Sequence, residues 1–343
     1  MPKSILSSLT PSFPEIPNPR GSPMKEYNKQ GYGRANIGMS WWRRWSVTQK
    51  IVCVAVTVVL VGIAVGLGVG LTVGRRDHSG FSSSNDTGIS SGWEGPGKNT
   101  SIWKPERGTT WQIVLLHPLN DTTPDVQVYD IDLFTNNAST ISDLHGKNRK
   151  VICYFSAGTY ESFRPDSTDF SRSDYRNVVE GWNNERWLDT NSANVRRIMV
   201  ERLDLAAHKG CDGVDPDNVD GYDNDTGFSL NQDDAVNYLT FLANHAHNRS
   251  LSIGLKNAGA IVPRVVDLLE WEVNEQCVQY DECDLYRPFV DANKPVFHIE
   301  YPDSAPDIDL ATANSICGAA NTVDFSTLMK ALVLDDWYRT CPA

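Results

Sequence analysis

Residues 211–220 read Cys211-Asp212-Gly213-Val214-Asp215-Pro216-Asp217-Asn218-Val219-Asp220, an apolar start that runs into clustered carboxylates. Side chains alternate on an extended backbone, so Asp215 and Asp217 share one face. Pro216 between them lacks an N–H, and the run cannot go on as a helix or a central strand. A strand that stops in acids facing one way fits the mouth of a barrel.

Working outward, further short β-rich runs lie at 112–116, 126–131, 150–155, 252–256, 271–275, 296–300 and 331–335. Apolar residues recur at helical spacing over 194–208 (Val195, Ile198, Met199, Leu203, Leu205) and over 233–247 (Ala235, Leu239, Leu242, Ala246). Eight strands alternating with helices predict an α/β fold, a (β/α)8 TIM barrel over residues 109–343. A doubly wound open sheet is the alternative. The absence of a Gly-rich phosphate fingerprint after the first strand weakens it and argues against a dinucleotide cofactor.

Upstream, the run from Ile51 to Gly74 is apolar throughout and long enough for a single transmembrane helix. A polar tail of about fifty residues precedes it, which favours an uncleaved signal-anchor over a signal peptide. The tail, residues 1–50, carries eight Lys or Arg against Glu15 and Glu26, so the net charge of −12 splits into +6 there and −18 beyond. The basic side should be cytoplasmic, the folded domain extracellular at the plasma membrane (type II), and nucleic acid is an unlikely partner. Asn85, Asn99, Asn120, Asn137, Asn224 and Asn248 begin glycosylation sequons, none before the span. Trp41, Trp42 and Trp45 fit an interfacial belt. Gly62, Gly66, Gly70 and Gly74 share a helix face that offers room for a weak dimer contact. Residues 75–108, rich in Ser and Gly, read as a glycosylated stalk.

Six of the seven cysteines follow the span, as in an oxidising compartment. Cys277 and Cys283 enclose a short loop, Cys317 and Cys341 can tie the C-terminal end, and Cys153 would then pair with Cys211. Six cysteines permit fifteen pairings, and spacing does not decide among them. No Cys-x-x-Cys pair supports zinc. The acidic loop 215–225 misses the EF-hand pattern, with Val219, Asp220 and Thr226 at its fifth, sixth and twelfth positions. No metal and no cofactor are expected.

In a barrel, functional groups gather where strands end. Asp130 and Asp132, Tyr154 and Glu161, Asp215, Asp217 and Asn218, Lys256 and Asn257, Glu275, Glu300 and Tyr301, and Asp335 to Trp337 occupy those ends. Acids there also commonly cap the next helix. Paired carboxylates are what glycosidic cleavage needs, and no Gly-x-Ser-x-Gly elbow competes. His117, His208 and His298 have no companion nucleophile, and His245 and His247 read as solvated helix residues. Trp182 and Trp187, in the long loop after the third strand, are candidates to stack on sugar rings or to pack locally.

Four runs, Val151 to Gly158, Cys211 to Asn218, Gly254 to Ala258 and Val273 to Cys277, resemble glycoside hydrolase family 114. The resemblance covers roughly residues 109–341, and the anchor and stalk are similar to those of membrane-anchored fungal members. It implies an endo-α-1,4-polygalactosaminidase acting without a metal on a cationic galactosamine-containing polysaccharide. By position, the catalytic pair falls on Asp217 and Glu275, with Asp215 the competing assignment. Asp132, Tyr154, Asp215, Asn218, Lys256, Asn257 and Glu300 would line the sugar subsites. Deacetylated galactosamine is cationic and suits an acidic cleft, with Asp130, Asp132 and Asp215 the expected contributors. A non-catalytic carbohydrate-binding protein on the same barrel is the alternative.

Overall fold

The structure, a computed structural model, describes residues 102–341. The basic tail, the proposed span with its glycine face, most of the stalk, and Asn85 and Asn99 lie outside the described residues. Among the described residues no helix is long and apolar enough to cross a membrane.

The elements in order are β1 (Trp111–Val114), β2 (Val128–Asp132), α1 (Ala138–Gly146), β3 (Lys150–Ser156), β4 (Thr159–Glu161), β5 (Tyr175–Val179), β6 (Trp182–Leu188), α2 (Ala193–Lys209), β7 (Gly213–Asp217), α3 (Gln232–His247), β8 (Ser252–Lys256), α4 (Val262–Val265), β9 (Trp271–Glu275), α5 (Cys277–Tyr280), α6 (Arg287–Asp291), β10 (Val296–Glu300), α7 (Leu310–Cys317), β11 (Ser326–Met329) and β12 (Arg339–Thr340). One sheet has the order β1-β2-β3-β7-β8-β9-β10-β11-β12. Its first eight strands pair in parallel and β12 is antiparallel to β11. The sheet curls into a (β/α)8 barrel-like α/β fold.

Each of the eight parallel strands is buried on both faces over most of its length, as a parallel sheet with helices outside requires. Facing inward, Trp111, Ile113, Val128, Ile152, Trp271, Val273, Phe297, Ile299 and Leu328 fill the barrel floor. A Cβ on Gly254 would lie 2.0 Å from the Trp271 indole nitrogen, so only glycine lets that ring cross the interior. Facing outward, residues such as Ile131, Val151, Val214 and Leu255 pack under the helices. The longest helix among the described residues, α2, starts at Ser192, whose side chain accepts from the Val195 N–H, and stops at Gly210 with φ 90°. Its Val195, Ile198, Met199 and Leu203 are fully buried, each contributing about 1.5–3 kcal/mol.

β1 and β11 share no strand ladder. Side chains and loops join them instead. Trp111 Nε1 donates to the Ser326 carbonyl at 2.8 Å, and Ser326 Oγ to the Thr109 carbonyl at 2.7 Å. Gln112 Nε2 donates to the Asp336 carbonyl at 3.0 Å, and the fully buried Lys330 ammonium to Gln112 Oε1 at 3.1 Å. The Leu115 N–H reaches the Leu334 carbonyl at 3.0 Å.

Two expectations need correction. The eighth strand is Ser326–Met329, not 331–335, because Leu328 and Met329 supply the buried positions beside β10 while Leu332 and Val333 are more than half exposed in a turn. The segment after β3 is not a loop: β4, β6 and β5 form a separate antiparallel sheet, in which Trp187 is buried and Trp182 exposed. The three disulfides are Cys153–Cys211, Cys277–Cys283 and Cys317–Cys341. His245 and His247 are half-buried, and His247 Nε2 meets Glu270 at 3.1 Å.

Candidate active site

Strand register sets the site. Tyr154 on β3 sits opposite Asp132 on β2 and Asp215 on β7, and Glu275 on β9 opposite Ile299 on β10. Alternation then puts Asp215 one layer below Asp217. Asn218, Asn257 and Gln276, which directly follow β7, β8 and β9, have φ of 61°, 53° and 64°. Such left-handed residues are sparse outside glycine and gather at functional sites. The loop after β3 closes on β7 through Gly158, where a Cβ would come within 1.6 Å of the Asn218 carbonyl oxygen.

At the centre is Lys256, only 2% exposed, whose ammonium lies 3.3 Å from Asp217 Oδ1 and 3.1 Å from Glu275 Oε2. Each carboxylate also takes one tyrosine hydroxyl: Tyr154 donates to Asp217 Oδ2 at 2.8 Å and Tyr301 to Glu275 Oε1 at 2.5 Å. Each takes one amide as well. The Asn218 N–H donates to Asp217 Oδ1 at 2.8 Å, and Asn257 Nδ2 to Glu275 Oε2 at 3.0 Å. Asn257 Oδ1 further accepts the Glu275 N–H at 2.9 Å, so it fixes both backbone and side chain. Burial pushes the Glu275 carboxyl up, but Lys256 and the donors from Tyr301 and Asn257 outweigh it and leave it below its ordinary value. Burial alone would discharge Lys256; Asp217, Glu275 and Asp215 instead hold its affinity for a proton well above the usual range.

The structure thus brings Asp217, Glu275, Tyr154, Lys256, Asn218 and Asn257 together, with Tyr301 as an added partner. It separates the other candidates. Asp215 and Asp130 are fully buried beneath the mouth rather than lining it, and neither carboxylate has a hydrogen-bonded cation. Burial, then the Asp215 charge, raises Asp130 well above the carboxylate range; burial raises Asp215 to about 7 despite Lys256. Asp132 spends Oδ1 on the N–H groups of Phe134 and Thr135 and Oδ2 on Arg164 at 2.5 Å. Glu300 accepts from the Val278 N–H at 2.8 Å and faces His298 Nε2 at 2.9 Å, anchoring the turn that follows Glu275. Sequence reasoning passed over Glu185 on β6, half-buried and accepting from Thr159 Oγ1 at 2.9 Å.

Among the described residues Cys277, Cys283 and His298 form a group with metal-type donors. Its sulfurs are bonded to each other and hold no thiolate, while His298 uses Nδ1 on Thr327 and Nε2 on Glu300.

The buried acids fix the pH response of the fold. Burial raises Asp220 to about 6, Asp215 and Glu185 to about 7, and Glu272 well above its ordinary value of 4.5. Between about pH 4 and 7 the folded chain therefore holds more protons than the unfolded chain, and stability falls as pH rises. Glu275 has the opposite sign: its contribution is present above about 4.5 and lost below it. Thermal unfolding should come at its highest temperature near pH 5 and several degrees lower at pH 8. A midpoint that climbs steadily from pH 5 to 8 would contradict this.

Residues 94–343 match the profile of glycoside-hydrolase family GH114. The crystal structure of Aspergillus fumigatus Ega3 in complex with galactosamine is 52% identical, at TM-score 0.69, over 72% of this chain and all of that one. The glycoside hydrolase domain of a PelA variant from Pseudomonas aeruginosa shares the fold at 11% identity and TM-score 0.51, over 67% of this chain and 98% of that one. No curated protein matches the chain.

Proposed function

We propose, from the premise that this chain belongs to glycoside-hydrolase family GH114, that it cleaves α-1,4-linked galactosamine-containing polysaccharide internally, with Asp217 and Glu275 as its carboxylate pair. The chain is a glycoside hydrolase; the bond it cuts and the residues that cut it are our reading. The observation that carries the reading is the shared ammonium of Lys256. Contacts of 3.3 and 3.1 Å hold the bridged oxygens of Asp217 and Glu275 within about 6.4 Å of each other, so that both carboxylates can reach one glycosidic bond.

On a retaining course the pair acts in two steps. One carboxylate attacks the anomeric carbon as the other gives its proton to the departing oxygen, so that a glycosyl–carboxylate bond replaces the glycosidic one. The second carboxylate then takes a proton from water, whose oxygen displaces the first carboxylate and completes hydrolysis. Tyr154 and Tyr301 hold the pair in place and Lys256 balances its charge.

The substrate class is supported by the galactosamine bound to the 52%-identical relative and by the excess negative charge beyond residue 50. Incubation with galactosamine polymers should release oligomers of mixed length early in the reaction. Partly deacetylated polymer should be cut faster than fully acetylated polymer, and added salt should narrow the difference. Equal rates without salt dependence would remove electrostatic recognition from the reading; absence of cleavage would remove the substrate.

We also propose that residues 51–74 anchor the chain in the plasma membrane as a type II protein with residues 109–343 outside. The basic tail, three disulfides and the exposure of Asn120, Asn137, Asn224 and Asn248 support this. External protease on intact cells should digest the C-terminal domain and spare the tail; the reverse pattern would overturn it.

A further inference from the structure

Around the mouth, most carboxylates are already spoken for. Asp217 and Glu275 share Lys256, Asp132 and Glu161 share Arg164, and Glu300 holds the turn after β9. Glu185 differs. It stands directly opposite Glu161 where β4 pairs with β6, a like-charge pairing that costs stability in a sheet. Arg164, the cation that pairs with Glu161, is taken up by Glu161 through Nε at 2.8 Å and by Asp132 through Nη1. Glu185 Oε2 accepts from a neutral group, Thr159 Oγ1, at 2.9 Å. Burial, Glu161 and Asp217 all act against its ionisation and lift it to about 7. An acid kept at a cost, half-buried and without a counter-cation, does not serve the fold; local conflicts of this kind mark functional positions.

The chemistry of an amino sugar supplies the missing cation. In galactosamine the amine sits on the carbon next to the anomeric centre, so any group that reads it must lie beside the carboxylates acting at that centre. Glu185 is tied to the strand end that carries Asp217: its donor Thr159 Oγ1 lies 2.5 Å from Ser156 Oγ, and Ser156 pairs with Asp217 across β3 and β7 and accepts from Asn218 Nδ2 at 3.0 Å. We propose that Glu185 receives the free ammonium of the sugar on the non-reducing side of the scissile bond, and so selects galactosamine over its N-acetylated form at that subsite. The proposal rests on Asp217 and Glu275 being the catalytic pair. A charge-assisted contact replaces the repulsion from Glu161, whereas an acetylated nitrogen brings bulk and no charge. Asp220, three residues beyond Asp217, is the natural comparison: among the described residues it too forms no ion pair, and burial likewise raises it.

The test uses the full-length chain and one partly acetylated galactosamine polymer, with the new reducing-end residue of each product identified by mass spectrometry. For the wild type, free-amine residues should be enriched at that end about tenfold or more over their share in the polymer. Glu185→Gln should bring the enrichment down to near that share, and Glu185→Asp, which keeps the charge on a shorter arm, should retain most of it. No enrichment in the wild type, undiminished enrichment in Glu185→Gln, or loss on Asp220→Asn in place of Glu185→Gln would each overturn the proposal. If Glu185→Gln yields no product, loss of enrichment in Glu185→Asp overturns it and retention supports it. A wild type that does not cut the polymer at all defeats the underlying functional reading instead.

Discussion

Asp217→Asn and Glu275→Gln should each lower the turnover of galactosamine polymer by about 10²–10⁴-fold or more while leaving the fold intact. Both replacements keep the shape that accepts from Tyr154 or Tyr301 and remove only the charge and the proton. Because the two carboxylates act on one bond as a unit, the double variant should be little worse than the poorer single one. Initial rates with purified variants, alongside their circular dichroism, decide the matter. Near-normal hydrolysis by either would remove that residue from the pair, and Asp215 is too deeply buried to take its place.

Lys256→Met should have the largest effect on stability. It leaves two carboxylates facing each other without the ammonium that now lies 3.3 and 3.1 Å from them. Removing one partner of a buried ionic group costs about 3–5 kcal/mol. Asp217 and Glu275 keep 16% and 24% side-chain exposure, so water relieves part of the repulsion and the low end applies. A loss of about 3 kcal/mol corresponds to a drop of about 6–12 °C in melting temperature for a domain of this size. Activity should fall as well, and the acid limb of its pH profile should move upward because Glu275 loses the partner that keeps it ionised. A variant that melts like the wild type with an unmoved profile would show that Lys256 is not the hub of the site.

The barrel strands could be read from sequence because parallel strands covered on both sides are apolar runs; Lys150–Ser156 and Ser252–Lys256 are examples. The eighth could not, since 331–335 is the more apolar run and only pairing with β10 selects Ser326–Met329 instead. The β4-β6-β5 sheet was hidden because β6, Trp-Asn-Asn-Glu-Arg-Trp-Leu, is mostly polar and half exposed. Its one local sign was Gly181 at the β5–β6 turn, with φ 83°. Since Glu185 rides on that strand, it stayed out of view too. Period-two alternation told that Asp130, Asp132, Asp215 and Asp217 face inward, but not how deep each lies. Depth is set by the stagger between neighbouring strands, which a linear pattern does not record. Arg164 was likewise beyond reach: it arrives from the inserted segment to claim Asp132.

The join between β1 and β11 has a consequence during synthesis. Trp111 and Gln112 leave the ribosome at least 215 residues before their partners Ser326, Lys330 and Asp336. The nascent chain must keep its first barrel strand waiting with one edge unsatisfied until those partners have been made. A ribosome stalled before residue 326 would therefore present a ring with one open side, a form that chaperones and quality control can distinguish from the finished enzyme.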